Sequence, residues 1–522
     1  MGDWLDDLLE SGRPVDEDWD YSNYEDETED ITVYTDENGD KWDSEGRKIG
    51  SRKTVIKKTV VTIKESPKIT TTTTVETVKI SGDTSGDKKE RKIADNQLDL
   101  EGHYASFSQL DEGKKIIGEL CAEIRALFKT QLLIKDDNII DVPYATLVTH
   151  MFPGDTVWLA VIGQSSGGKS EILRSIAEKP NSMVHPISRL TQNAVISGTK
   201  GDVGLVYEAN NKIVIIKDLV TAITSKNADA IFSQLREMFD GSIGVTSGHE
   251  DGSKNKSDIR VTLIAGVTPD AISGDTIFKS SLGERFIYYL FPKFEMEDIG
   301  TLADKMISDS NDSEKRKAMS VISNKILLKV YELRKICHEK SINGVIKDRE
   351  YAIWLYTISS FTAYLRRSVS WSWNKSMVDN IGTEEAPHRL AKELMKQSLG
   401  LMIVKQKQIV DDEIKDIITK ICVHSIPGRR LTCLKVFLHE KKEMDKRKQK
   451  VKGVTIKNYL SVKCGFSTTT ARRIILELTE MNIFSIAGEE NDKADYTVID
   501  FNKDFYEKFG KILETTVKYY DN

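Results

Sequence analysis

The octapeptide GQSSGGKS at residues 163–170 has the residue types and spacing of a loop that binds phosphate groups. An apolar run precedes it and an amphipathic segment follows it, so the loop is expected to join a buried strand to a helix. Glycines let backbone N–H groups surround phosphate oxygens, the helix N-terminus adds a positive dipole end, and the lysine reaches the outer phosphates. The sequence predicts an ATP site formed by Gly163, Ser165, Ser166, Gly167, Gly168, Lys169, Ser170 and Glu171.

A second apolar run, residues 213–216, leads to Asp218 and predicts a core strand that delivers a carboxylate to Mg²⁺. Asp218 and Ser170 are the predicted protein ligands of that ion, and a strand-end cap is the alternative role for Asp218. The next residue is Leu219, at a position where many ATPases of this kind carry Glu. The residue that orients the attacking water is therefore left open between Glu171, Glu237 and Asp240.

Two further polar residues stand at strand boundaries. Thr268 ends the apolar run RVTLIAGVT, a position from which it can contact the γ-phosphate. Arg285 comes just before the run FIYYLF, and an arginine at the start of a strand can be presented to the nucleotide of a neighbouring subunit. A surface ion pair with Glu284 is the alternative for Arg285.

The elements that must position these residues follow from the hydrophobic pattern. Short apolar runs alternate with helical segments between residues 157 and 292, which is typical of a mostly parallel sheet covered by helices. Apolar residues recur at helical spacing over residues 107–128, and residues 311–421 are nearly all helical in pattern. The fold class is therefore α/β, with a helical region after the sheet.

The order of these motifs resembles that of AAA+ ATPases over about residues 152–420, roughly half the chain. Within that family the chain is similar to the MCM-like helicases and to a group of phage and mobile-element replication ATPases. The resemblance implies a P-loop AAA+ core with a helical lid, ring-shaped oligomers and active sites between subunits. It further implies that Thr268 takes the sensor 1 role and Arg285 the arginine-finger role.

Two weaker matches extend this resemblance. Residues 386–418 look like the lid helices of those helicases and place Arg389 at the sensor 2 position; a helix-surface arginine is the alternative. The polar stretch 241–258 occupies the place of a DNA-gripping hairpin, where Lys254 and Lys256 match loosely. A solvated loop is the alternative for that stretch.

The C-terminal segment has the pattern of a helix-turn-helix followed by a wing. A helix at 456–462, a turn at Gly465 and a second helix precede two β-like runs at 483–487 and 496–499. A basic run just before them adds nonspecific attraction for nucleic acid, which favours a winged-helix DNA-binding domain over a protein-docking one. The candidate DNA contacts are Ser467, which is also the expected helix cap, with Thr469, Arg472 and Arg473.

Charge is divided unevenly along the 522 residues. Residues 1–46 contain eighteen acidic and two basic residues, while the rest has 73 basic and 63 acidic residues, within a net charge of −6. The acidic tail is predicted to be disordered, with a partner-binding peptide as the alternative, and the Thr-rich stretch 54–80 predicts a β-ribbon. Five scattered cysteines without a CxxC pair, an acidic N-terminus and no long apolar run predict a protein of the bacterial or phage-infected cytoplasm that does not bind membranes.

These observations predict a DNA-associated AAA+ ATPase of phage or mobile-element replication, acting as a helicase or helicase loader. An ATP-dependent switch with little turnover is the alternative. Predicted cofactors are ATP and Mg²⁺; predicted partners are DNA, further copies of the chain in a hexameric ring or other homo-oligomer, and a replication protein at the acidic tail. The predicted domains are the tail 1–46, ribbon and linker 47–95, helical part 96–150, ATPase core 151–300, lid 301–425, winged helix 426–502 and C-terminal helix 503–522.

Overall fold

The computed structural model divides the chain into two units, residues 1–96 and 97–522. In the first unit it describes strands β1 (Tyr34–Thr35) and β2 (Lys41–Trp42). In the second it describes residues 100–522 apart from 165–166, 179–182, 189, 191–203, 224, 247–252, 270–284, 294, 309–311, 373–376, 488–497 and 522. The predicted Thr-rich ribbon and linker lie outside the described residues.

Strands β1 and β2 pair antiparallel, with Tyr34 opposite Trp42. The composition of the acidic tail predicts disorder, and that prediction is wrong at these four residues. Three of these four residues, Tyr34, Thr35 and Trp42, are aromatic or β-branched types that favour strands.

The second unit opens with two helices and a five-stranded sheet. The elements of this part are α1 (Leu100–Gln131), α2 (Asn138–Thr149), β3 (Trp158–Ile162), α3 (Lys169–Ala177), β4 (Val184–Ile187), α4 (Leu205–Ala209), β5 (Ile213–Ile216), α5 (Val220–Ile223), α6 (Ala228–Phe239), β6 (Ile243–Thr246), β7 (Ser253–Lys256), β8 (Thr262–Val267) and β9 (Ile287–Leu290).

The sheet has the strand order β4-β5-β8-β3-β9, and every neighbouring pair in it is parallel. Strands β3, β5 and β8 are buried along their whole length, as expected for a parallel sheet covered on both faces. The continuous apolar runs of the sequence arise from this double burial. The prediction of a mostly parallel sheet is confirmed.

A helical region follows the sheet. It comprises a 3₁₀ turn (Met296–Asp298), α7 (Ile299–Ser308), α8 (Asp312–Glu339), α9 (Arg349–Arg366), β10 (Val369–Trp371), β11 (Val378–Ile381), α10 (Pro387–Val404) and α11 (Asp412–His424). Helix α8 packs on α1, and α10 packs on α2. The predominantly helical character of this region is confirmed, with the addition of the antiparallel pair β10–β11.

The C-terminal elements are α12 (Gly428–Lys446), α13 (Gly453–Val462), α14 (Thr468–Glu480), β12 (Phe484–Ala487), β13 (Val498–Phe501), α15 (Lys503–Thr516) and a 3₁₀ turn (Val517–Asp521). Strands β12 and β13 pair antiparallel, and the Ile499 N–H donates to the Val451 carbonyl (3.0 Å). Phe509 of α15 packs against Phe361 of α9, with ring centroids 5.8 Å apart. The ranges predicted as lid, winged helix and C-terminal helix thus share one hydrophobic core. None of the described helices has an apolar stretch long enough to cross a bilayer.

Candidate phosphate-binding site

The carboxyl ends of three adjacent strands bring the predicted site residues to one edge of the sheet. Strand β8 lies between β3 and β5, so the loop after β3, Asp218 after β5 and Thr268 after β8 are neighbours. The Gly163 N–H donates to the Val267 carbonyl (3.1 Å), and the Leu219 N–H donates to the Gly266 carbonyl (2.9 Å). The chain leaves β3 toward β4 and leaves β8 toward β9, on opposite sides of the sheet. Such a switch point forms a crevice that binds ligands in open α/β sheets.

The glycine loop turns sharply into helix α3. Gly168 precedes the helix with φ +81°, in the left-handed region that favours glycine. The Gly167 N–H donates to the Gln164 carbonyl (3.2 Å), which closes the turn. A Cβ at Gly168 would lie 3.2 Å from the Leu132 side chain, so this glycine also permits close packing. Ser165 and Ser166 lie outside the described residues.

Lys169 is buried at the start of α3, and its Nζ lies 3.4 Å from the Gln164 carbonyl oxygen. Burial lowers the pKa of its ammonium, and the negative charge of Asp218 partly offsets that effect. Lys169 and Asp218 are therefore close enough to interact electrostatically. A partly desolvated cation of this kind is stabilised when an anion such as a phosphate group binds beside it.

Ser170 and Asp218 are both exposed at this edge. The Asp218 Oδ1 accepts a hydrogen bond from the Val220 N–H (2.9 Å), which is the strand-end contact expected of the alternative role. A carboxylate has a second oxygen, so the turn contact is compatible with binding a cation. The described residues contain no cluster of three or more His, Cys, Asp or Glu side chains that could hold a metal ion.

Thr268 is half-buried directly after β8, between the glycine loop and Asp218. Because β8 lies between β5 and β3, Thr268 at its end lies next to both Asp218 and the glycine loop. This placement agrees with a contact to the terminal phosphate.

None of the three candidates for the water-orienting residue is a free carboxylate beside the glycine loop: two form ion pairs, and the third lies in the last turn of α6. Glu171 lies at the loop but pairs with Arg174 (3.0 Å) and with Arg316 of α8 (2.9 Å). Glu237 lies in the last turn of α6, and Asp240 follows that helix and pairs with Arg285 (3.0 Å). The ion pair between Glu171 and Arg316 joins residues far apart in sequence, and no motif predicts it.

Arg285 lies at the amino end of β9, two residues before the strand. Arg285 forms an ion pair with Asp240 (3.0 Å), and Glu284, the alternative partner, lies outside the described residues. In the parallel register Ile287 is opposite Leu159, so Arg285 is displaced from the glycine loop by at least five residues, about 17 Å at 3.3 Å per residue. Arg285 therefore lies at the edge opposite its own phosphate loop.

Arg389 lies at that same opposite edge. Its guanidinium donates to Glu385 Oε1 (2.6 Å) and stands 6.0 Å from the ring centroid of Phe239, the residue before Asp240. Glu385 also pairs with the buried Arg366. Arg389 and Arg285 thus each approach the C-terminal end of α6, at Phe239 and Asp240, and no sequence motif predicts this arrangement.

Of the candidate DNA contacts, Lys254 and Lys256 belong to β7, which pairs with β6 in an antiparallel hairpin. The described part of the stretch 241–258 thus contains two paired strands, and three of the four β6 residues, Ile243, Val245 and Thr246, are β-branched types that favour a strand. The side chains of the two lysines lie outside the described residues.

The C-terminal candidates cluster at the N-terminal half of α14. The Ser467 hydroxyl accepts a hydrogen bond from the Thr470 N–H (3.1 Å), which confirms the predicted cap. Gly465 before it adopts φ +70°, as the predicted turn requires. Ser467, Thr469 and Arg472 are exposed, and Arg473 is half-buried. These side chains therefore share one accessible helix end.

Comparisons with known sequences and with solved structures give different results. The sequence matches no known protein-family model, and it matches no curated protein. Among solved structures, one similar chain is a candidate ATPase from Cytophaga hutchinsonii, with 14% sequence identity and a TM-score of 0.36. The match covers 62% of this chain and 91% of that one. A likeness at this TM-score establishes no shared function, so the geometry of the site has to indicate its chemistry.

Proposed function

We propose that this protein is an AAA+ ATPase that acts on DNA, as a helicase or as a motor that loads one during phage or mobile-element replication. The observation that carries the proposal is the convergence of the glycine loop, Lys169, Asp218 and Thr268 at the switch point between β3 and β8. A loop of this type at the start of a helix binds phosphate, and the neighbouring carboxylate and hydroxyl are the groups that triphosphate hydrolysis requires.

In this proposal the chain itself binds and orients the nucleotide. The N–H groups at the start of α3 and the Lys169 ammonium bind the β- and γ-phosphates of ATP, and Thr268 contacts the terminal phosphate. Ser170 and Asp218 hold Mg²⁺, which supplies neutralisation of charge on the phosphate oxygens. The burial of Lys169 strengthens its interaction with the phosphates, because desolvated charges interact more strongly.

The two arginines at the opposite edge support shared active sites. Arg285 pairs with Asp240 and Arg389 lies over Phe239, so both arginines are at the edge of the sheet away from the phosphate loop of their own chain. In a head-to-tail ring, this edge of one copy can face the phosphate loop of the next copy. Arg285 and Arg389 would then stabilise charge on the neighbour's phosphates, after leaving Asp240 and Glu385.

Contact with DNA is proposed for two regions. The β6–β7 hairpin carries Lys254 and Lys256, and the exposed helix end at Ser467 lies in a segment whose element order agrees with a winged helix. In that arrangement, Ser467 and Thr469 contact phosphates, while Arg472 and Arg473 face the groove or the backbone.

A nucleotide-dependent switch is the second candidate function, and a specific observation favours it. Leu219, at the position after Asp218, is buried, and the nearby Glu171 is engaged with two arginines. A site without a positioned water-activating group binds ATP and hydrolyses it slowly. The protein would then assemble with ATP on DNA or on a partner and turn over rarely.

ATP turnover by the purified chain tests the proposal, measured without DNA and with single- or double-stranded DNA. Lys169→Ala and Arg285→Ala remove the two key charges, with Lys325→Ala and Arg349→Ala as matched controls at exposed helix positions. A motor shows DNA-stimulated turnover that both site variants lose and both controls keep. ATP binding without turnover above the Lys169→Ala background on any DNA contradicts the motor and favours the switch.

A further inference from the structure

A cavity of about 520 Å³ lies between α8 and the residue preceding β4. Met183 and Leu328 form its apolar wall, and the rest of the lining comes from the same helix as Leu328: Tyr331, Glu332, Arg334, Lys335 and His338. The cavity lies next to Asn211, which precedes β5, whereas Asp218 follows that strand. Seven residues of extended chain correspond to about 23 Å, so this cavity is separate from the candidate ATP site.

Positive charge is concentrated around this cavity. Arg260 and Lys396 lie behind the lining residues, close enough that their charges act on His338. Burial lowers the pKa of Arg334, and burial together with the charge of Arg334 lowers the pKa of Arg260 to about 10. Burial and the charges of Arg260, Arg334 and Lys396 lower the pKa of His338 in the same way. The cationic side chains therefore repel one another.

Carboxylates do not neutralise this charge. Within the described part of the chain, no acidic side chain forms an ion pair with Arg260, Arg334, Lys335 or His338. Arg334 donates to the Asn211 side chain (2.6 Å), and Arg260 donates to the carbonyls of His150 (3.1 Å) and Phe152 at the end of α2. Glu332 lines the cavity but lies 2.6 Å from Lys329.

The contact with the end of α2 explains Arg260 as a helix-capping residue, because carbonyls at a helix C-terminus attract cations. That role does not explain the half-buried Arg334 or the exposed Lys335 and His338, which line the same cavity from α8. Burial affects Arg334 and Arg260, and bringing such partly desolvated like charges together is costly unless an anion binds beside them.

We infer that this cavity binds the phosphate group of a nucleotide, with Arg334 and Lys335 on the phosphate oxygens and the apolar wall against the sugar and base. Arginine and lysine are the side chains that recognise phosphate, and the Tyr331 ring with Met183 and Leu328 offers a surface for a flat organic group. A free mononucleotide and a nucleotide unit of a nucleic acid share this chemistry. The inference adds a second phosphate-binding site to the one of the proposed function.

The test uses the full-length chain carrying Lys169→Ala, so that the glycine loop contributes little binding. AMP, inorganic phosphate and a short single-stranded oligonucleotide are titrated into this chain, followed by isothermal calorimetry. Lys335→Glu is then added, because Lys335 is exposed and its replacement should not disturb folding. Lys325→Glu, exposed on the same helix and outside the cavity lining, is the matched control.

We expect at least one of these phosphate probes to bind about tenfold more weakly after Lys335→Glu, with no change after Lys325→Glu. Loss of AMP affinity identifies a free nucleotide as the source of the phosphate, and loss of oligonucleotide affinity alone identifies nucleic acid. Equal affinities in the two variants for all three probes, or no binding at all, overturn the inference. Lys335→Glu in a chain with Lys169 intact should keep the basal ATP turnover. Failure of the cavity inference can therefore be told apart from failure of the proposed ATPase function.

Discussion

At the scale of single residues, Gly266 allows two strands of the site to approach closely. Gly266 of β8 lies where β5 ends, and a Cβ built on it would come within 2.5 Å of the Lys217 carbonyl oxygen. That carbonyl belongs to the backbone immediately before Asp218, whose strand is already fixed by its pairing with β8. The absence of a side chain at Gly266 therefore sets the distance between Asp218 and the strand next to the glycine loop.

Gly266→Ala should destabilise the protein by about 2 kcal/mol, because the overlap is with backbone and requires the strands to separate. Weaker Mg²⁺-dependent ATP binding should accompany the loss, since Asp218 moves with Lys217. Gly300→Ala is the control, because a Cβ there has no atom within 4 Å. Urea denaturation compares the two variants. Equal stability of Gly266→Ala and the unaltered chain would show that the strands adjust without strain.

At the scale of elements, helix α14 combines a cap with an accessible end. Ser467 accepts the Thr470 N–H, and the buried Ile474, Ile475 and Leu478 fix the opposite face of the helix in the C-terminal core. The exposed side chains near Arg472 are therefore presented by a rigid helix rather than by a loop. Such support is what a nucleic-acid contact surface needs.

Ser467→Ala should weaken the first turn of α14 by about 1 kcal/mol, the usual contribution of a serine cap. Amide hydrogen exchange in a peptide covering α14 should then become about fivefold faster. Thr469→Ala is the control, because Thr469 is exposed inside the first turn and alanine favours helix there. Unchanged exchange after Ser467→Ala would mean that packing alone holds the helix end.

At the scale of the whole molecule, the two edges of the sheet carry different parts of the proposed active site. The glycine loop, Asp218 and Thr268 occupy one edge, and Arg285 with Arg389 occupies the other. A single chain cannot bring these parts together, because a full strand length separates them. Catalysis in this account therefore depends on a second copy.

Mixing inactive variants tests that dependence. Lys169→Ala and Arg285→Ala are each expected to be inactive, while a one-to-one mixture should regain about a quarter of the unaltered turnover, the chance that an intact loop meets an intact arginine. The turnover of each variant alone, at the same total concentration, is the control. A mixture as inactive as its components would contradict active sites shared between copies.

Sequence reasoning predicted the parts of this molecule that depend on local pattern. The doubly buried strands, the glycine loop entering α3 and the Ser467 cap are encoded within a few neighbouring residues each, and the structure confirms them. Contacts between residues far apart in sequence leave no local pattern from which they could be predicted. The pair Glu171–Arg316, the approach of Arg389 and Arg285 to the end of α6 and the cationic cavity on α8 arise from packing of elements far apart in sequence.

Mg²⁺-dependent ATP binding to the purified chain tests the central claim most directly. The unaltered protein and the Lys325→Ala control should bind ATP with equal affinity, and Lys169→Ala should bind it at least about tenfold more weakly, because a desolvated ammonium contact to phosphate is lost. Equal Mg²⁺-dependent affinities in all three proteins would contradict the assignment of the glycine loop as the ATP site.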